Sequence, residues 1–214
     1  MITRNLILIT LLLMTGALTL SAQNLTPTTQ ATFDAFVHMA SAISNGSPTK
    51  LREAIMEIRK CPLDNFSSLE PKQEELSLDG HMVFNESFAL AVLEKKDCFR
   101  MAQKYKELQV ERQVSADDVI YFWNGMVAGK SSVKYTFSAK GRQDIAVVAE
   151  PGGRLTLRIY DTTHGKWYND TLDVHEGRPT RVMVLPLRED EDSDLEIEII
   201  NTTLADESFV LLCN

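Results

Sequence analysis

The sequence predicts an α+β protein, with a helical N-terminal half followed by an antiparallel β-sandwich or jelly roll. Up to about residue 115, apolar residues recur every three or four positions, which is the period of an amphipathic helix. After that point they alternate every second position, as in half-buried strands, and glycines separate the alternating segments. We therefore predict a helical domain over 23–114 and a sandwich domain over 115–214, after a separate leader at 1–22.

The leader has the pattern of a secretory signal peptide. Arg4 precedes an apolar run over 6–14, and small residues lead to Ala22. The run is shorter than the roughly 20 apolar residues that a membrane-spanning helix needs. We expect cleavage after Ala22, export to the periplasm or the extracellular space, and no transmembrane segment in the mature chain.

Four helices and one small hairpin are predicted in the N-terminal half. Ser47 and Pro48 have the types preferred at a helix N-cap and at the first helical position, and Pro62 prevents continuation of that helix. Asp79-Gly80 between apolar residues favours a hairpin turn. The predicted elements are a helix over 28–45, a helix over 48–60, a hairpin over 76–84, a helix capped at Asn85 and a helix capped at Asp97.

About eight short strands are predicted from residue 117 onward. Their apolar residues alternate with polar ones, and turn residues punctuate them, which indicates an antiparallel sandwich or jelly roll. They are expected over 117–123, 133–139, 143–149, 155–160, 166–171, 181–185, 195–199 and 208–213.

Part of this pattern resembles the pre-peptidase C-terminal type of bacterial β-sandwich, over about residues 130–213. The matching features are the strand and glycine turn at 135–141, Pro151-Gly152-Gly153, the strand Leu155–Asp161, Leu185-Pro186 and Asn201 before a closing apolar strand. The resemblance implies a noncatalytic accessory module of exported proteins, and it carries no catalytic residues to this chain.

A candidate ligand site lies at Trp167, Tyr168, Asn169 and Asp170. The apolar face of a sugar stacks on an aromatic ring, while amide and carboxylate groups bind its hydroxyls. The alternative is structural: strand alternation would send one ring into the core and leave the other to cover an edge.

The acidic run around Asp190, Asp192 and Asp194 gives a weaker alternative, a calcium site built from oxygen ligands. The EF-hand pattern fails, because Leu195 stands where that loop needs glycine and Asn201 stands where it needs the bidentate glutamate. A solvated turn between strands fits the run better. No other metal site and no cofactor are indicated.

Three cysteines enter a compartment that permits disulfides. Cys61 and Cys98 both lie at predicted helix ends, so we predict a bridge between them, while alternation places Cys213 in the sandwich core. The alternative, that all three are buried as small apolar residues, stays open.

The formal net charge of −8 argues against nucleic acid and anionic membranes as partners. Signature motifs of hydrolases, zinc proteases and phosphate-binding loops are missing from the sequence. We therefore expect a noncatalytic binding or accessory protein of a bacterial envelope or secretome, with a glycan or a protein as ligand; no oligomeric state is indicated. The alternatives are a structural protein of an envelope assembly that interacts through its helical half, and a hydrolase whose site forms only in three dimensions.

Overall fold

A computed structural model describes residues 25–45, 47–66, 68, 81–95, 119–169, 171–175, 178–185 and 192–214. These residues form three layers, which are a layer of helices, a six-stranded sheet and a four-stranded sheet. The α+β class is confirmed, as is the order of a helical half followed by a two-sheet structure.

Three helices lie in the described part of the N-terminal half: α1 at Pro27–Asn45, α2 at Pro48–Lys60 and α3 at Glu86–Lys95. The Ser47 side chain accepts a hydrogen bond from the Lys50 N–H and caps α2, with Pro48 in its first turn. Asn85 caps α3 through Oδ1, which accepts from the Phe88 N–H at 2.8 Å. None of these helices combines the length and apolar character needed to cross a membrane.

Two predicted features of this half fall outside the described residues: the Asp79-Gly80 turn and the helix capped at Asp97. The fourth helix and most of the hairpin therefore stay predictions.

Ten strands form the two sheets within the described residues. The six-stranded sheet has the order β1-β2-β10-β4-β8-β7, and the four-stranded sheet has the order β3-β9-β5-β6. All neighbours are antiparallel except β1 and β2. The strands are β1 Leu63–Asn65, β2 Ile120–Val127, β3 Ser132–Lys140, β4 Gln143–Ala149, β5 Leu155–Asp161, β6 Lys166–Asn169, β7 Thr171–His175, β8 Arg178–Leu185, β9 Asp192–Asn201 and β10 Glu207–Cys213.

The strand count corrects two expectations. The segment 166–171, predicted as one strand, is divided between β6 in the four-stranded sheet and β7 in the six-stranded sheet. Alternation alone does not reveal where a chain passes from one sheet to the other. Residues 63–65, which lie in none of the predicted elements, form β1 and run parallel to β2. Local periodicity does not reveal this strand, because its partner is distant in sequence.

The first core lies between the two sheets. Odd-numbered residues of β3, β5 and β9 point inward, among them Phe137, Leu157 and Ile197, and meet Phe209 and Leu211 of β10. The predicted alternation therefore has the correct register on these strands.

Gly125 of β2 makes room for one of these core rings. A Cβ atom at this position would lie 2.4 Å from Cζ of Phe209, so the ring of Phe209 fills the space that a side chain would need.

The second core lies between the helices and the opposite face of the six-stranded sheet. Ala146 and Val148 of β4, with Val210 and Leu212 of β10, pack against buried residues of α1, α2 and α3. Both strands are therefore covered on both faces, which explains why they consist of nearly continuous apolar residues.

A buried side chain, that of Asn201, helps to hold the connection from β9 to β10 and is 1% exposed. Its Nδ2 donates to Val127 O at 3.2 Å and to Ala205 O at 2.7 Å. Its Oδ1 accepts from the N–H and the hydroxyl of Thr203, both at 2.8 Å. Asn201 is one of the residues that match the pre-peptidase C-terminal type of sandwich in sequence.

We predict that Asn201→Ala lowers the free energy of unfolding by about 3 kcal/mol, because buried carbonyl groups lose their donors. Denaturant unfolding measures the change. Asn45→Ala, at an exposed asparagine of α1, is the control and should change stability by less than about 0.5 kcal/mol. Equal effects of the two substitutions would contradict the role given to Asn201.

The division of the chain near residue 115 stays a prediction. A fragment of 115–214 would keep the core between the sheets but would expose the apolar face that the helices cover. We expect a cooperative melt at a lower temperature than for the chain 23–214, together with stronger binding of a hydrophobic dye. A fragment without a cooperative melt would show that the two halves form one folding unit.

Candidate functional site

The two aromatic residues of the candidate ligand site lie on opposite faces of β6. In the antiparallel pair with β5, Tyr168 stands opposite Ile159 and Trp167 stands opposite Tyr160. Tyr168 packs against the core between the sheets, whereas Trp167 lies on the outer face and is 45% exposed. The side chain of Asn169 and the whole of Asp170 lie outside what the structure describes.

Two residues of β5 contact Trp167 on this outer face. The ring of Tyr160 lies 4.8 Å from the Trp167 ring between centroids, at an interplanar angle of 35°. The guanidinium carbon of Arg158 lies 4.5 Å from the Trp167 ring centroid, within the range of a cation–π contact. We call Arg158, Tyr160 and Trp167 the Trp167 cluster.

Sequence reasoning identified Trp167 but missed its two neighbours. The signal was present, since Arg158 and Tyr160 alternate with the buried Leu157 and Ile159 and had to face outward. What was lacking was the register of the β5–β6 hairpin, which places Tyr160 directly across from Trp167.

Charged residues continue the outer face beside the Trp167 cluster. Lys134 Nζ lies 2.7 Å from Glu196 Oε1, and Arg158 Nη1 lies 3.6 Å from Glu198 Oε2. The hydrogen bond to Glu196 and the charge of that carboxylate raise the pKa of Lys134 above its usual value. This face therefore combines an exposed ring with carboxylates that accept hydrogen bonds and a guanidinium group that donates them.

Asp161, His164 and Ser193 come together at the end of the β5–β6 hairpin. His164 Nδ1 lies 2.8 Å from Asp161 Oδ2 and 3.3 Å from Ser193 Oγ. The backbone N–H of His164 donates a hydrogen bond to Asp161 Oδ1 at 3.0 Å. In a nucleophilic Ser-His-Asp triad the serine and the aspartate use different ring nitrogens. Here both contact Nδ1, and Ser193 is only 1% exposed. The arrangement holds a turn together and does not present a nucleophile to a substrate.

The acidic run is partly strand, which corrects the prediction of a turn. Asp192 and Asp194 belong to β9 and stand opposite Lys140 and Ser138 of β3. Asp194 Oδ1 accepts a hydrogen bond from Ser138 Oγ at 2.5 Å. Asp190, the third residue of the alternative calcium site, lies outside the described residues, and no group of three potential metal ligands occurs among those that are described.

A groove of about 510 Å³ lies between the beginning of α1 and the end of α2. Ala31, Ala35 and Pro62 contribute apolar surface, and His38 Nδ1 lies 2.9 Å from Glu57 Oε2 at its wall. This groove is a concave surface of the helical half.

Two of the three cysteines are described. Cys61 is buried at the end of α2, with Sγ 3.4 Å from Glu57 O. Cys98 lies outside the described residues, so the predicted bridge between the two stays a prediction. Cys213 is buried in β10, as alternation predicts, and burial, together with the charge of Asp144, raises the pKa of its thiol far above the usual value.

Comparison with known proteins finds no matching family model and no matching curated protein. Among solved structures, the chain is similar to the pre-peptidase C-terminal domain of a collagenase from Bacillus anthracis, at 13% identity and a TM-score of 0.36, over 44% of this chain and 87% of that one. It is also similar to a periplasmic inhibitor of g-type lysozyme from Salmonella Typhimurium, at 14% identity and a TM-score of 0.30, over 44% of this chain and 89% of that one. The corresponding inhibitor from Aeromonas hydrophila matches at 13% identity and a TM-score of 0.33, over 50% and 91% of the two chains. The first of these structures is a domain of the type that the strand and turn pattern resembles.

We predict that Cys213 does not react with a thiol reagent in the folded protein at pH 8, because its thiol stays protonated and buried. In denaturant without reductant, one thiol reacts if Cys61 and Cys98 are bridged, and three react if they are not. Peptide mapping of the labelled residues measures both results. Labelling of Cys213 in the folded chain would contradict its placement.

Proposed function

We propose that this chain is an exported, noncatalytic binding protein that binds a glycan on the outer face of the four-stranded sheet. The observation that carries the proposal is the exposure of Trp167 beside Tyr160 and Arg158. Export rests on the signal-peptide pattern of residues 1–22.

The Trp167 cluster suits a sugar because its ring is held in place before binding. Trp167 lies on a regular strand, and contacts with Tyr160 and Arg158 restrict its rotamers. A side chain that is already ordered loses little conformational entropy when a ligand arrives. The exposed part of the indole can stack on the apolar face of a sugar, while Glu196, Glu198 and Arg158 can bind its hydroxyl groups.

A protein ligand at the same face is the second candidate. Tryptophan, tyrosine and arginine are the residue types most enriched at the energetic centres of protein interfaces, and here Trp167 contacts both a tyrosine and an arginine. The described part of the helical half offers less support for this role, since its buried apolar residues pack against the six-stranded sheet. The concave surface described in this half is the groove at Ala31.

We predict that Trp167→Ala weakens binding of the mature chain to its glycan at least tenfold, or about 1.4 kcal/mol, because the stacking surface is lost. A glycan array identifies the ligand, and titration calorimetry measures the change in affinity. Tyr121→Ala is the matched control, because Tyr121 is 37% exposed and lies on the other sheet.

The outcomes separate the candidate functions. Glycan binding that survives Trp167→Ala contradicts the proposed site. A protein partner that is lost with Trp167→Ala supports the second candidate. If Ala31→Trp, which fills the groove between α1 and α2, abolishes binding of a protein partner, the result supports interaction through the helical half.

A further inference from the structure

Strand β3 has the longest free edge of the two sheets in the described part of the chain. The other edge strands, β1, β6 and β7, have 3, 4 and 5 residues, whereas β3 has 9. Its pairing with β9 is continuous over Ser132–Lys140, without a bulge, and it contains no proline. A long, regular edge of this kind is a template for another strand.

The hydrogen-bonding pattern shows which residues face the free edge. The Asn201 N–H donates to Ser131 O at 2.9 Å, which makes Ser131 and Asn201 a hydrogen-bonded pair. Along an antiparallel pair, every second residue forms backbone hydrogen bonds with the neighbouring strand. The residues of β3 whose backbone groups bond to β9 are therefore Val133, Tyr135, Phe137 and Ala139. The N–H and C=O groups of the even-numbered residues 132–140 therefore point away from β9.

We propose that a second copy of this chain pairs with this edge, antiparallel and about a two-fold axis at Thr136. Each Thr136 then faces the other across the axis, Lys134 faces the second copy's Ser138, and Ser132 faces the second copy's Lys140. All the outward N–H and C=O groups of 132–140 gain a partner in this register. The interface is isologous, as in most homodimers.

Charge and side-chain pairing favour this register over two alternative registers. It places no like charges opposite each other, and its central Thr–Thr pair is a stabilising cross-strand pair. Moving the axis to Lys134 would bring two lysines face to face, and moving it to Phe137 would place Lys134 opposite Lys140. On the inner side, Tyr135 faces the second copy's Phe137, which is a favourable aromatic pair.

Such a dimer joins the two four-stranded sheets into one continuous sheet of eight strands. Both Trp167 clusters then lie on the same face, about 34 Å apart at about 4.8 Å per strand. This consequence rests on the proposed function, and it gives bivalent binding to a ligand with repeated epitopes. The dimer itself does not depend on any ligand, so its failure would leave the proposed binding site untouched.

Sedimentation equilibrium of the mature chain tests the proposal. We expect twice the monomer mass for the wild type and the monomer mass for Thr136→Lys, which places two charges at the two-fold axis. Thr156→Lys is the matched control: it adds the same charge to the outer face of β5, a strand inside the sheet and away from the proposed interface, and should stay dimeric. A monomeric wild type, or a Thr136→Lys variant that stays dimeric, overturns the proposal.

A cysteine substitution gives a positive test that does not depend on disrupting the protein. The two Thr136 Cα atoms would lie about 5.5 Å apart, which is within the range of a disulfide. Thr136→Cys should therefore form a covalent dimer on mild oxidation, with an unchanged circular dichroism spectrum, while Thr156→Cys should stay monomeric on a non-reducing gel. Equal cross-linking of the two variants, or none of Thr136→Cys, overturns the proposed register.

Discussion

The structure depends on the burial of β4 and β10, two adjacent strands inside the six-stranded sheet, on both faces. Strands β4 and β10 contribute apolar residues to the core between the sheets and to the core beneath the helices. Because backbone groups in such a position cannot reach water, they must be paired, and each of these strands has a neighbour on both sides. The helices therefore help to exclude water from these two strands.

The four-stranded sheet has its outer face exposed to solvent. Its inner side chains belong to the core, whereas its outer face carries Lys134, Arg158, Glu196 and Glu198 around the exposed Trp167. A face of this kind is free to diverge without loss of the core, since its side chains contribute little to stability. The binding proposal and the dimer proposal both use this sheet, one through its face and the other through its edge.

Buried polar side chains join segments that are distant in sequence. Asn124 of β2 donates to Phe84 O and accepts from the Phe84 N–H at 2.8 Å, and so attaches the segment before α3 to the sheet. Asp144, which is fully buried, accepts from the Thr26 N–H and from Arg142 Nε, while its own N–H donates to the Asn214 side chain. Buried polar groups are tolerated only with such partners, and these contacts bring Thr26 and Asn214 to one point.

The sequence by itself determined the elements whose evidence is local: the three described helices, the caps of α2 and α3, the alternation of β3, β5 and β9, and the outward position of one ring at 167 or 168. Periodicity and capping depend on residues within a few positions of each other, so they can be read without a fold. Tertiary structure alone decided the pairing of β1 with β2, the passage of the chain between sheets after β6, and the contact of Arg158 and Tyr160 with Trp167. These features depend on strand order and register, which are set by the packing of residues far apart in the chain.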